Sequence, residues 1–275
     1  MILDGSKLKD KILEEAKSKI KNNGLDITLA IILVGNDEAS KIYIKAKQKA
    51  CEEVGINVAL FELDEQTTED TIIDLINKLN NDEDITGIIL QSPIPDGLDY
   101  NRCISYIDSK KDVDGFTKDN IYNLYLNKDC ILPCTVKGII RLLKEYDIAI
   151  DGANVVIVGR GNIVGKPLGL ALLNENASVT WTHSKTKDLA FYTKNADIVI
   201  SAVGKAHIIS DDMVKDGAVV IDVGISKQDG HIIGDVDFDM VKNKASFISP
   251  NPKGVGPMTV AMIIDNLIEM KIKEK

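Results

Sequence analysis

Histidine, tryptophan and proline are scarce in this chain, with 3 His, 1 Trp and 7 Pro in 275 residues. His183, His207 and His231 are dispersed and form no pair at the i, i+4 spacing that puts two imidazoles on one helix face, so no metal is expected. Cys51, Cys103, Cys130 and Cys134 fit neither a zinc nor a redox spacing and are expected to be buried or idle thiols. No GxSxG elbow occurs, which removes a common serine-hydrolase plan. No apolar run approaches membrane-spanning length, and Met1-Ile2-Leu3-Asp4-Gly5 does not read as a signal peptide. Basic residues are outnumbered, 33 Lys+Arg against 42 Asp+Glu, and the formal charge of −9 argues against nucleic acid or an anionic membrane as the main partner. The expected setting is the cytoplasm. An anionic small molecule remains open as a ligand, because a local basic cluster can bind one whatever the net charge.

The length suffices for two domains with proper cores, and the pattern is α/β throughout. Its centre is Val155-Val156-Ile157-Val158-Gly159-Arg160-Gly161, followed by Gly165 and by Val164, Leu168 and Leu172 at helical spacing. A β-branched run is what a strand buried on both faces requires. Strand, glycine turn and helix together aim free backbone N–H groups at a phosphate. The spacing is GxGxxxG, one residue longer than the usual dinucleotide fingerprint, so the motif alone leaves an ordinary βα turn as the other reading. Two features favour the dinucleotide, and NADP over NAD. Arg160 lies inside the turn, where a guanidinium can grip a 2′-phosphate with two bonds. The next strand, Ala177–Thr182, ends in His183-Ser184-Lys185-Thr186, with no acidic residue to hold a ribose 2′-hydroxyl.

Upstream, Leu8 to Ile20 carries an apolar stripe that predicts a helix ended by Gly24, and Thr28 to Val34 a buried strand. A second helix is predicted from about Asp37 to Val54, closed by Gly55. Winding it places Ala39, Tyr43, Ala46, Ala50 and Val54 on one face and Lys41, Lys45, Gln48 and Glu52 opposite. Lys47 falls on the flank of the apolar face, with Tyr43 one turn before it. Such a lysine either snorkels to water or is desolvated enough for acid/base work near neutral pH. A helix from Thr68 to Leu79 leads to the strand Gly87–Leu90, whose carboxyl end carries Gln91-Ser92-Pro93-Ile94-Pro95. Ligands of open α/β sheets collect at such ends. Asp99 to Ile107 reads as a short helix, and the aspartates of Lys111-Asp112-Val113-Asp114-Gly115-Phe116 read as turn chemistry or as ligand contacts. Thr135 is expected to cap a helix over Val136–Tyr146. Strands follow at Ile198–Ala202 and Ala218–Val223, the latter leaving through Gly224-Ile225. Ser249 to Thr259 reads as a stiff Pro/Gly loop that opens a last helix from Val260 to Met270.

Seven blocks now stand in order: Tyr43-Ile44-Lys45-Ala46-Lys47 with Gly55-Ile56, Gln91 to Pro95, Lys111 to Phe116, Pro133-Cys134-Thr135, Gly159-Arg160 with Ile163 to Pro167, His183-Ser184, and Gly254-Val255-Gly256-Pro257-Met258-Thr259. Together they resemble the bifunctional methylenetetrahydrofolate dehydrogenase/methenyltetrahydrofolate cyclohydrolase family over nearly the whole chain. The resemblance implies an N-terminal folate/catalytic domain over residues 1–117, joined by the C-terminal helix 258–275, and a Rossmann-type NADP domain over 118–257, with an active-site cleft between them. It implies NADP-dependent oxidation of 5,10-methylenetetrahydrofolate to the 5,10-methenyl cation, then hydrolysis to 10-formyltetrahydrofolate. Carried over by motif, Lys47 is the general acid/base, Gln91 hydrogen-bonds and tunes it, Tyr43 stacks on the folate rings, and Asp114 holds the pterin amino edge. Gly159, Arg160, Gly161, Ser184 and Ile225 line the NADP site, and Gly254, Val255, Gly256 and Pro257 border the folate. A homodimer is implied, with tetrahydrofolate derivatives as partners and neither nucleic acid nor membrane.

The sequence departs from that family's pattern at four places. Gly161 stands for a serine, Ser92 for a leucine, Lys253 for a glycine and Val136 for a proline. Three other readings account for fewer of these residues. A dehydrogenase with little cyclohydrolase activity sits poorly with the intact Tyr43, Lys47 and Gln91 set. An NADP-sensing regulator would need a partner-binding module, and no basic recognition helix is present. An amino-acid or shikimate dehydrogenase would leave the Gln91 and Asp114 blocks unexplained.

Overall fold

The computed structural model describes residues 1–228 and 231–273. In chain order the elements are α1 (Gly5–Asn23), β1 (Thr28–Val34), α2 (Glu38–Val54), β2 (Asn57–Leu63), α3 (Glu69–Asn80), β3 (Gly87–Leu90), α4 (Tyr100–Ile104), α5 (Lys118–Tyr125) and α6 (Cys134–Glu145). They continue as β4 (Asn154–Val158), α7 (Gly165–Asn174), β5 (Ser178–Thr182), α8 (Leu189–Thr193), β6 (Ile198–Ser201), β7 (Val219–Asp222), β8 (Ile225–Gln228), β9 (His231–Gly234), α9 (Phe238–Val241), β10 (Phe247–Ile248) and α10 (Val255–Lys273). No helix among the described residues is long and apolar enough to cross a membrane.

The chain divides into two compact units, Asp10–Cys134 with Val260–Lys275, and Met1–Lys9 with Thr135–Thr259. The first is built on a parallel sheet of order β2-β1-β3. Its central strand β1 is buried from Leu29 to Val34, as a strand flanked on both sides and covered on both faces must be. Ile32, Ile72, Ile76, Ile88 and Leu90 form part of one apolar cluster between sheet and helices, each fully buried side chain contributing about 1.5–3 kcal/mol. The second unit carries a parallel five-stranded sheet, β10-β7-β6-β4-β5, and an antiparallel β8-β9 hairpin. Val158, Thr182, Ser201 and Asp222 lie in one paired row, so four strands end together. The chain leaves β4 for β5 on one side and then crosses to β6 on the other. β4 and β6 therefore flank the point where strand order reverses, the place where such sheets bind ligands.

The α/β class with two units agrees with the sequence pattern, but several local expectations change. The buried residues of α2 are Ser40, Ile44, Ala50, Cys51 and Val54, whereas Tyr43 is 51% exposed and Ala46 is exposed. The buried stripe is rotated from the expected one because Ile44 and Cys51, not the small alanines, supply the apolar area. Lys47 lies one turn from both of these residues, within the stripe rather than on its flank. Thr135 is not a cap: α6 already starts at Cys134, and the Thr135 hydroxyl lies 3.0 Å from that of Thr259. α10 starts at Val255, so Gly256 and Pro257 belong to its first turn, where proline's missing N–H is harmless. β2, α5 and the β8-β9 hairpin are additional to the elements expected from the sequence. β2 lies at a sheet edge and alternates in exposure, and the hairpin is only partly buried, so neither shows a continuous apolar run.

Glycine at 169 is demanded by packing. A Cβ there would lie 2.0 Å from Trp181 Cζ2, and the Trp181 indole N–H donates to Gly165 O at 2.8 Å, which holds the ring in place. Gly169→Ala should lower unfolding stability by roughly 1–3 kcal/mol, measured as a shift of the denaturant midpoint; an unchanged midpoint would show that the indole moves freely.

Candidate active site

Gln91 is the first residue beyond β3, and its backbone N–H continues the ladder to Ile32 O at 2.9 Å. Its side chain is 6% exposed, so both ends of the amide need partners. Nε2 donates to Ser92 O at 2.7 Å, and Oε1 accepts from Lys47 Nζ at 2.9 Å. Lys47 is carried by α2, which Asp37 starts by accepting the Ser40 N–H at 2.7 Å and Gly55 closes in the left-handed conformation at φ 86°. The half-buried ammonium is thus held against a strand end by a buried amide acceptor, not left to snorkel.

The two aspartates after β3 separate cleanly. Asp112 is the turn residue: Oδ1 accepts from Gly115 N at 2.9 Å, and Oδ2 accepts from Thr117 N at 2.7 Å and Asn120 Nδ2 at 3.0 Å. Asp114 is half-buried and sits where the Lys47 charge reaches it. Burial raises its carboxyl above the ordinary carboxylate range; Lys47 pulls it down, Asp112 raises it further, and a Cys134 hydrogen bond lowers it. The Asp114 segment is anchored by Asn266 of α10, whose Nδ2 donates to Val113 O at 2.9 Å and Leu132 O at 3.1 Å. Tyr100 joins this group unannounced by any motif. Its hydroxyl donates to Leu90 O at 3.4 Å, and burial, then Asp114 and Asp112, push its pKa upward. The only signal in the sequence is its place just after the capping residue Asp99. Cys51, one turn after Lys47, has its thiol pushed up to about 12 by burial, so it is no nucleophile.

In the five-stranded unit the glycine turn follows β4. Gly159 has φ 121°, and a Cβ on it would approach Ala202 O to 2.7 Å. A Cβ on Gly165 would meet Gly159 O at 2.5 Å, so the turn folds back tightly on the first turn of α7. Gly161 faces open space, with nothing within 4 Å of an added Cβ. Arg160, Gly161 and Ser184 are exposed, and among the described residues no hydrogen bond or ion pair engages Arg160. Ile225, at the start of β8, is 45% exposed. A tight, exposed glycine turn opening a helix, with a free guanidinium beside it, fits a phosphorylated dinucleotide. Gly254, Val255, Gly256 and Pro257 belong to this unit, while Tyr43, Lys47, Gln91 and Asp114 belong to the other. Lys253, where the resembled family has glycine, is held at φ 82°, a left-handed conformation that costs a side-chain-bearing residue roughly 1–2 kcal/mol. Its side chain is exposed.

Two further carboxylates were not foreseen. Asp222 is 3% and Asp235 0% exposed, at the ends of β7 and β9. Asp222 accepts from the N–H groups of Asp235 at 2.9 Å and Val236 at 3.2 Å. Burial pushes its carboxyl up to about 7 against the pull of those donors. In the sequence Asp222 sits in a plain apolar run and gave no sign of this role. Among the described residues no group of three or more His, Cys, Asp or Glu is placed to hold a metal ion.

Residues 133–275 match the family described as tetrahydrofolate dehydrogenase/cyclohydrolase, NAD(P)-binding domain, and residues 3–114 match its catalytic domain. The chain is 51% identical to the "Bifunctional protein FolD" of Agathobacter rectalis over 272 residues, 98% of each chain. It superposes on the crystal structure of the bifunctional FolD methylenetetrahydrofolate dehydrogenase/cyclohydrolase of Campylobacter jejuni with a TM-score of 0.98 at 45% identity, covering 100% and 99% of the two chains. It is also similar, with a TM-score of 0.94 at 32% identity over 100% and 98%, to the Trypanosoma brucei dehydrogenase-cyclohydrolase complexed with NADP cofactor and inhibitor.

Asp222 makes stability depend on pH. Between the ordinary carboxylate range and about 7 the folded chain keeps a proton that the unfolded chain releases. Its contribution to stability is therefore full at low pH and lost as pH rises through about 7. Denaturant unfolding should show stability falling across that window by on the order of a few kcal/mol, and Asp222→Asn should flatten the slope. A slope identical in the variant assigns it to another group.

Proposed function

Because this chain belongs to the tetrahydrofolate dehydrogenase/cyclohydrolase family, we propose how its residues divide the two reactions of that family. It is an NADP-dependent methylenetetrahydrofolate dehydrogenase and a methenyltetrahydrofolate cyclohydrolase. A dehydrogenase with little cyclohydrolase activity is not favoured. We assign the folate chemistry to residues 1–117 with 258–275, and the dinucleotide to 118–257. We place the enzyme in the cytoplasm as a homodimer that acts on tetrahydrofolate derivatives and binds neither nucleic acid nor membrane.

NADP, when bound, supplies the hydride acceptor for the one-carbon bridge. Gly159, Gly161 and the start of α7 hold its phosphates, Arg160 and Ser184 take the 2′-phosphate, and Ile225 lies along the cofactor. The absence of a hydroxyl at Gly161 leaves Arg160 with more of that task. Dehydrogenation asks these residues for placement and little else. Hydrolysis asks for more. As water adds to the bridge carbon a proton must leave it, and as the C–N bond breaks the departing nitrogen must gain one. Lys47 does both when its amine is unprotonated, taking the proton from water and then giving it to the departing nitrogen, turned toward the substrate by Gln91. Tyr43, exposed one turn earlier on α2, stacks on the folate rings. Asp114 receives the pterin amino edge, and Gly254, Val255, Gly256 and Pro257 border the substrate. What carries this reading is the 2.9 Å bond from Lys47 Nζ to the buried Gln91 amide, with the desolvated Asp114 carboxyl within electrostatic reach.

Lys47→Met should lower the cyclohydrolase rate about 100-fold or more while folate binding changes little, followed by decay of methenyltetrahydrofolate absorbance. Normal hydrolysis by that variant refutes the assignment. Arg160→Ala should remove the preference for NADP over NAD, on the order of tenfold or more in kcat/KM for loss of a charged contact; a preference that survives removes Arg160 from 2′-phosphate recognition.

A further inference from the structure

Asp235 follows β9 and is completely buried, yet its carboxylate is turned wholly toward one loop. Oδ2 accepts from Ser201 Oγ at 2.8 Å and Val203 N at 2.8 Å, and Oδ1 accepts from Lys205 N at 2.7 Å. All three donors come from the exit of β6, the strand beside the Gly159 turn. That exit is wedged on both sides. A Cβ on Gly159 would lie 2.7 Å from Ala202 O and 3.1 Å from Val203 Cγ1, and a Cβ on Gly204 would lie 3.2 Å from Ile225 O. Gly224 closes over the carboxylate, since a Cβ there would come within 2.1 Å of both its oxygens. Val203, Gly204 and Lys205 themselves are exposed. A buried carboxylate therefore clamps from behind an exposed loop that touches the glycine turn at one end and Ile225 at the other. Asp222 carries the clamp in turn through the N–H groups of Asp235 and Val236.

We propose that Asp235 is a positioning residue for the dinucleotide site: it meets no ligand, and it sets NADP affinity by fixing the Val203–Lys205 backbone between the Gly159 turn and Ile225. This rests on reading that turn as the NADP site. An isolated surface loop with two exposed glycine-flanked residues samples many conformations. Two backbone N–H groups tied to one buried anion leave it few, so binding need not order it. Neutralising the carboxylate as an amide keeps the volume but turns an N–H donor toward Lys205 N or toward the Ser201 and Val203 donors, and the clamp opens at one end.

The test uses the full chain and NADP itself. Wild type is titrated with NADP by calorimetry; failure to bind would remove the reading of the turn and the proposal with it, whereas a fault in the proposal alone shows only in the variant. In Asp235→Asn, NADP Kd and KM should rise tenfold or more, the amides of Val203 and Lys205 should lose protection in hydrogen exchange, and KM for the folate should stay within twofold. Methenyl hydrolysis consumes no dinucleotide, so its kcat/KM should also stay within twofold and reports that the chain is folded. NADP affinity within twofold of wild type overturns the proposal, as does an equal loss in both activities. If Asp235→Asn does not accumulate as folded protein, Ser201→Ala carries the test. It removes one of the three donors and should raise NADP Kd about threefold with hydrolysis unchanged; an unchanged Kd overturns the proposal.

Discussion

A side-chain amide at the end of a buried strand must find partners on both of its faces, and at Gln91 that requirement organises the Lys47 unit. Behind Gln91 lie Ile88, Ile89 and Leu90, all buried, which offer it nothing. Ahead of it, Ser92 O takes one end and the Lys47 ammonium supplies the other. The bond is more than a local contact, because it decides where a flexible four-carbon stem comes to rest. A lysine free to snorkel would hold its charge in water. Held by Gln91, its nitrogen stays within electrostatic reach of Asp114, a carboxyl that Cys134 hydrogen-bonds and whose segment Asn266 pins.

How far the sequence discloses this depends on the kind of signal each residue emits. β1, β3 and β4 are continuous apolar runs because parallel central strands are buried on both faces, and their positions were plain. Gln91 was legible because it is the first polar residue after such a run. Edge and hairpin strands are half-wetted; β2 alternates with no strong period and β8 begins with the same Ile225 that reads as a loop exit. The face of α2 was misjudged for a related reason. Ala39, Ala46 and Ala50 look apolar on a helical wheel but bury little area, so Ile44 and Cys51 settle the rotation and Tyr43 is left outside. Asp112 and Asp114 show the limit from the other side. Two identical residues, two positions apart, do different work, and only the hydrogen bonds to Gly115, Thr117 and Asn120 tell which one is the turn.

The glycines of the dinucleotide unit are legible as a motif but not in their separate reasons. Gly159 is required by φ 121° and by the Ala202 carbonyl, Gly165 by the Gly159 carbonyl, and Gly169 by the Trp181 ring. Gly161 is required by none of these, since its Cβ direction is empty. A residue with a hydroxyl would fit there without moving the turn. The glycine therefore reflects contact with a ligand, or the lack of one, and not backbone need. Lys253 is the reverse case, a side chain accepted where the backbone favours glycine.

A chain with net charge −9 that binds a multiply phosphorylated ligand has to manage its acids, and the five-stranded unit does so by turning two of them inward. Asp222 and Asp235 stand at the carboxyl ends of the strands, where bare carboxylates would repel a phosphate. Both are buried and saturated with N–H and O–H donors, so their field is spent on the backbone that shapes the site. Arg160, Lys166, Lys185 and Lys205 reach solvent from the loops at that edge. Exposed charges are screened over about 8 Å at physiological ionic strength, so it is this local set, not the net charge, that an arriving phosphate meets. Burying the acids as structural anchors lets the same sheet edge be rigid and electropositive at once.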